Sequence, residues 1–309
     1  MIGRVRRRLA HALDRRFLAL HQRVEHLAAR VEDTGTAEAT RAAEDRRLLE
    51  RVDAHLAGMN ALLRDEIAPA LRIMAGNDAG NRRLLEAARA DPEYERAFTE
   101  PDPLVTVIVP TNGRSLLATR ALPSILAQTH SRLEVLVVGD ATGPETAAAV
   151  RDFRDERLTF VNLLQRYVYP DPQRHRFAAA TLARNEGYRL ARGRWLFDVD
   201  DDDHVPSDAV AHLLRAARDQ RLEAVEGVVR QHSPDGEMSE LEPLPASPRL
   251  FGAVVHSHLR FFTREHVAHA FGVGGDVFRG ERMIRAGVRV GQLDRVTYEY
   301  YPAQFWERG

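Results

Sequence analysis

Four consecutive aspartates, Asp200, Asp201, Asp202 and Asp203, follow the apolar residues Trp195, Leu196, Phe197 and Val199. Carboxylates crowded this closely repel one another unless a cation neutralises them or water solvates them. Oxygen donors directly after a buried strand suit Mg2+ or Mn2+ held against a diphosphate. A solvated acidic loop is the plainer explanation, as for most charge runs. Other polar groups share the same relation to an apolar run. Thr111 and Arg114 follow residues 105–109, and Asp140 follows residues 133–138. Solvated loops give no reason for that coincidence at three strand ends.

Composition narrows the chemistry further. The 309 residues include no cysteine, which removes disulfides, thiolate nucleophiles and Cys-ligated zinc. Lysine is absent as well, so all 44 basic residues are arginine. A Walker-type phosphate loop, a Schiff base and a pyridoxal site each need an amine and are excluded. Net charge is −1, giving no global field for nucleic acid. No signal-peptide core and no apolar run of about 18 residues is present, so a cytoplasmic chain is expected.

The elements that must position these groups alternate. Strands are expected at 105–109, 133–138, 158–161 and 195–199, with helices near 115–129, 145–153 and 178–191. Such alternation gives an α/β, Rossmann-like, mostly parallel sheet with right-handed crossovers, whose ligands sit beyond the carboxyl ends of the strands. Weaker signals put strands at 223–230 and 250–256, helices near 263–270 and 278–286, and a loop at 233–248.

Residues 4–90 read as helices. Leu13, Phe17, Leu20, Val24, Leu27 and Val31 follow an a/d heptad seam, which Leu49, Val52, Leu56, Met59 and Leu63 resume after a break at 33–36. Seams this narrow bury little within one chain, so a coiled-coil homo-oligomer is expected. Residues 1–30 carry eight arginines against Asp14 and Glu25, which admits peripheral contact with an anionic membrane as the sharper alternative. Pro92 and residues 98–103 mark a linker. The expected division is 1–97 helical and 98–309 α/β, the latter split into halves 98–206 and 207–309.

Four blocks in order, LVTVIVPTNGR, LEVLVVGDAT, LARNEGYRLARGRWLFDVDDDD and GGDVFRGERMIRAGVRV, resemble a GT-A glycosyltransferase of family 2 over roughly residues 103–302. The resemblance implies a nucleotide-sugar donor, UDP favoured, an unidentified acceptor, a divalent metal (Mn2+ or Mg2+) and an inverting displacement. It implies that Pro110, Thr111 and Arg114 line the nucleotide and that Asp140 accepts from the base. The family often has two acidic residues there, and Gly139 stands for the first. Arg184 and Asn185 match the segment before the metal strand, with Arg184 toward the diphosphate or sugar. Asp202 is the implied metal ligand and Asp200 a ribose or metal contact, with Asp201 the ligand if the register shifts. Asp203 is expected to be solvated, and Asp198 has no assigned role.

The same resemblance makes Asp276 the general base, by its spacing to Arg282, with Gly275 in place of the usual Glu. As a plain helix N-cap, Asp276 would need no chemistry at all. Of two histidines near the end of a strand, His258 is preferred over His256 as a metal or diphosphate contact, and His204 ranks below both. Arg166, Arg174 and Arg176 could clamp phosphates, although exposed arginine is commoner. Tyr298, Tyr300, Tyr301 and Trp306 either stack on an acceptor or close the core. A sugar-phosphate nucleotidyltransferase and a non-catalytic coiled-coil scaffold are the competing classes. Gly113-Arg114 is a poor phosphate loop for the first, and a scaffold has no use for carboxylates at strand ends.

Overall fold

The computed structural model describes residues 38–61, 68–166, 180–233, 235–241, 252–263 and 275–302. Two compact units divide the chain, Met1–Pro69 and Ala70–Gly309. In the first, helix α1 spans Glu38–Ala61. Leu49, Val52 and Leu56 of the expected seam are half-buried along it, and Leu48 is exposed. The seam from Leu13 to Val31, and Leu63, lie outside the described residues.

In the second unit the boundary falls earlier than the one expected at residue 97. Helix α2, Ala68–Ala90, enters this unit at Ala70, and a short helix α3, Arg96–Thr99, follows. Leu85, Tyr94 and Phe98 are all buried in its core. Glu223, whose side chain is 0% exposed, anchors the segment. It accepts from Arg89 Nε and Nη2 at 2.6 and 2.8 Å, from the Tyr94 hydroxyl, and from the Arg289 backbone N–H at 2.7 Å.

The sheet has eight strands: β1 Val105–Thr111, β2 Leu133–Gly139, β3 Leu158–Asn162, β4 Trp195–Asp198, β5 Ala224–His232, β6 Met238–Leu241, β7 Val254–His256 and β8 Val290–Tyr300. Their order is β3-β2-β1-β4-β7-β5-β6, with β8 on β5. The β1–β2, β2–β3, β1–β4 and β5–β8 pairs are parallel, whereas β7 runs antiparallel to both β4 and β5. Every residue of β1 and β2 is buried, as expected for Val- and Ile-rich strands covered on both faces.

The crossover elements match the expected helices. A π turn, Leu117–Ala121, runs into α4, Leu122–Leu126; α5 is Pro144–Asp152 and α6 is Thr181–Leu190. On α6, a Cβ at Gly187 would stand 2.5 Å from Ile108 Cγ2, so glycine lets this helix lie directly on β1. Helix α7, Ala209–Asp219, and strand β8 go beyond the expected set, and β6 falls within the loop expected at 233–248. The helix expected near 263–270 lies, past Thr263, outside the described residues. The last helix, α8, spans Gly275–Ala286.

Candidate active site

The order in which strands are added reverses at β1: β2 and β3 lie on one side and β4 on the other. A crevice at the carboxyl ends of β1 and β4 is the standard ligand position in such sheets. Pro110 shows how it opens. Ile108 C=O accepts from Val199 N–H on the β4 side, and Thr111 C=O accepts from Asp140 N–H on the β2 side. Pro110 is in phase with Ile108, so its missing N–H falls where β4 has already ended at Asp198. A proline inside a central strand therefore leaves no ladder bond unmade.

Across this crevice β1 grips the acidic turn. Thr111 Oγ1 donates to Asp201 Oδ2 at 2.6 Å and accepts from Gly113 N–H at 3.0 Å. Gly113 has φ +94, the left-handed conformation that turns the chain before Arg114. Arg114 Nη1 lies 2.8 Å from Asp201 Oδ1 and 2.7 Å from Asp202 Oδ2. Arg120, on the π turn, donates to the Asp202 carbonyl at 2.7 Å and lies 3.8 Å over the Tyr301 ring. Burial raises the Asp201 carboxyl above its usual range, and pushes Asp202 up to about 6 against the pull of Arg114. Neighbouring carboxylates add to both shifts.

The other aspartates separate by partner. Asp200 pairs with Arg184 of α6, and its backbone N–H donates to the Tyr298 hydroxyl at 3.0 Å. Asp203 is not solvated: it is fully buried, accepting from Tyr298 Oη at 2.8 Å and from Tyr301 N–H at 2.9 Å. Burial, then Asp200 and Asp202, hold its carboxyl well above the usual range. The expectation failed because β8 closes over the turn, and β8 was not foreseen. Asp198 gains a role it lacked in the sequence. It accepts from the Tyr188 hydroxyl and from Arg279 Nη1 at 2.8 Å, joining β4, α6 and α8.

Asp140 sits at the end of β2, 3.2 Å from Arg166 Nε. Asn185 is half-buried on α6 beside Arg184. Asp276 falls in the first turn of α8. Arg174, Arg176 and Trp306 lie outside the described residues.

His258 is the clear correction. Antiparallel pairing sets His256 opposite Trp195, the first residue of β4, so both histidines lie at the far end of that strand from the acidic turn. His258 Nε2 pairs with Asp91 at 3.2 Å. His256 is 1% exposed, stacked on Tyr94 at 4.0 Å, with Nε2 3.0 Å from the Tyr94 carbonyl and Nδ1 accepting from His258 N–H at 3.2 Å. Neither can reach the metal position expected for His258. His204 does follow the turn, but its Nδ1 faces Glu299 at 3.4 Å.

The donor set at the turn fits a divalent metal by chemistry: three neighbouring carboxylates, all hard oxygen donors. In this arrangement they turn toward Arg114 and Arg184, and among the described residues no group of three or more ligating side chains converges on one point. Nothing in the sequence marked Arg120, Tyr188 or Arg279 as part of the site, and Tyr298 and Tyr301 were expected only as stacking or core-closing aromatics. Only the aromatic run at the C-terminus carried a signal, and it did not say which side of the core it closed.

A mostly parallel sheet, flanked by helices, with a carboxylate-rich turn at its switch point places the chain in the α/β class. The sequence profile of glycosyl transferase family 2 matches residues 106–273, more than half of the chain. The chain belongs to that family. Among curated relatives it is 29% identical over 125 residues to the uncharacterized glycosyltransferase EpsJ of Bacillus subtilis, covering 40% of this chain and 33% of EpsJ. It is 33% identical over 115 residues to the succinoglycan biosynthesis protein ExoO of Rhizobium meliloti, covering 37% and 30%. The chain thus spans about a third of the length of these relatives. Among solved structures, S. aureus TarS superposes with a TM-score of 0.50 at 17% identity, over 64% of this chain and 36% of TarS, a likeness of fold.

Proposed function

We propose that the chain transfers a sugar from a nucleotide-sugar donor, UDP-linked, to an acceptor hydroxyl with inversion at C1. The observation that carries this is the gathering of Asp200, Asp201 and Asp202 with Thr111, Arg114 and Arg184 at the crevice beside Pro110. Asp140, which follows β2 at the next strand end, would accept from the base. Asp200 and Asp202 are the residues that would hold Mn2+ or Mg2+, with Asp201 the alternative in place of Asp202. The bound ion supplies charge neutralisation for the departing diphosphate. Arg114 and Arg184, which reach the same carboxylates, would pair with the diphosphate oxygens. Asp276 takes the proton from the acceptor O–H as that oxygen attacks C1 from the face opposite the diphosphate. The name of ExoO supports a polysaccharide acceptor.

The reading is tested by incubating the full-length chain with UDP-glucose, UDP-GlcNAc or GDP-mannose and Mn2+, with water as the slow acceptor. Nucleoside diphosphate should accumulate with at least one donor, and Asp276→Asn should lower its release by about 100-fold or more. Pyrophosphate made from a sugar phosphate and NTP, with no diphosphate release from any donor, would instead favour a nucleotidyltransferase. Full activity in Asp276→Asn would remove that residue from the mechanism.

A further inference from the structure

After Asp276, helix α8 carries arginines at every third position: Arg279, Arg282 and Arg285. Residues three apart are neighbours on a helix surface, so the three form one ladder. Each rung has an anchor. Arg279 Nη1 donates to Asp198 on β4 at 2.8 Å and to the Tyr188 hydroxyl of α6. Arg282 Nη2 donates to Asn81 Oδ1 at 3.3 Å, and Arg285 Nε and Nη2 donate to Asp78 Oδ2 at 3.2 and 2.8 Å. Asp78 and Asn81 are themselves three apart on α2 and both are buried, as are Arg279 and Arg282.

Apolar packing joins the same two helices, with Leu85 of α2 in one cluster with Met283 and Ala286 of α8. Apolar contact is non-directional and leaves a helix able to roll or slide by small amounts. Buried ion pairs stabilise little over apolar packing, yet each admits a narrow range of geometries. Three rungs therefore fix the rotation and axial position of α8 rather than add to its stability. Transfer chemistry is sensitive to such placement: a misplacement of about 1 Å costs on the order of 100-fold in rate. Helix α2 precedes the family-matched residues 106–273, so two of the three anchors come from outside that stretch.

We propose that Asp78 and Asn81 of α2, with Asp198 of β4, are positioning residues for the transfer step, holding α8 so that Asp276 stands in register with the acceptor. This rests on Asp276 acting as the base.

The test uses the full-length chain, Mn2+ and whichever donor the wild type hydrolyses fastest, with water as acceptor. In that reaction the C1–O bond to the diphosphate breaks, a C1–O bond to water forms, and the water proton goes to Asp276. Asp78→Asn and Arg285→Gln should each lower kcat by about tenfold or more while the donor KM stays within about twofold. The double variant should be no slower than the slower single, because one rung is lost in all three. Unchanged kcat in Asp78→Asn overturns the proposal. So does a parallel rise in KM, or additive losses in the double variant, either of which marks a merely structural contact. Asp276→Asn, measured alongside, separates the two claims. A large loss there with unchanged Asp78→Asn overturns positioning alone, whereas full activity in Asp276→Asn overturns the base on which positioning rests.

Discussion

At the scale of single residues, burial decides what charge can do. His256 illustrates this away from the catalytic turn. Its Nε2 meets the Tyr94 carbonyl and its Nδ1 accepts from His258 N–H, so the neutral ring satisfies both partners. Burial, foremost, pushes its pKa down to about 4. An unfolded histidine titrates near 6.5, so between these values the unfolded chain binds a proton that the native ring refuses. Stability should fall as pH drops from about 6.5 to about 4, by about 3 kcal/mol from this group, and level off below. Urea midpoints at pH 7 and pH 5 should differ less in His256→Gln than in the wild type; equal differences would contradict the assignment. The sequence offered His256 and His258 as strand-end histidines but could not say which end, because β7 runs antiparallel to β4. The acidic turn was legible as a cluster, since four adjacent carboxylates after a buried strand need an explanation. Its internal division was not. Asp203 and Asp198 owe their roles to Tyr298, Tyr301 and Arg279, all distant in sequence.

Among the elements, the first four strands stood out because parallel strands buried on both faces are continuous apolar runs. Helix α7 was equally legible, with Ala209, Val210, Leu213, Leu214 and Ala217 on one buried stripe, but it follows the acidic turn directly and was passed over. Strand β8 was not legible. It is largely half-exposed, carries Asp294 and Arg295 in its interior, and pairs with β5 through register shifts near Gly227 and Val228. Helix α2 looked like one more coiled-coil segment, yet it belongs with the sheet through Arg89, Leu85 and the ladder to α8. Residues 70–309 should therefore fold on their own. Residues 98–309 lose Arg89 and Tyr94 and leave Glu223 buried with Arg289 alone, at a cost of about 3 kcal/mol or more. Thermal melts of the two fragments check this, and equal midpoints would contradict it. Light scattering of 70–309 against the full chain tests self-association through the preceding helices: an unchanged oligomeric state would remove them as its cause.

For the whole molecule, the charge of the acidic turn is balanced by the chain's own arginines. Arg114 covers Asp201 and Asp202, whose carboxyls burial raises, Arg184 covers Asp200, and the same guanidinium groups are those a diphosphate would need. No helix among the described residues is long and apolar enough to cross a membrane. Cation and nucleotide should therefore bind together, the cation on the carboxylates and the diphosphate on the arginines. Calorimetric titration of the full-length chain with UDP, with and without Mn2+, tests this most directly. Binding should be at least about tenfold tighter with Mn2+, and that gain should vanish in Asp202→Asn, because the coupling is a free energy shared between two ligands. Equal UDP affinity with and without Mn2+, or a gain that survives Asp202→Asn, would contradict the assignment of the acidic turn as the donor's metal site.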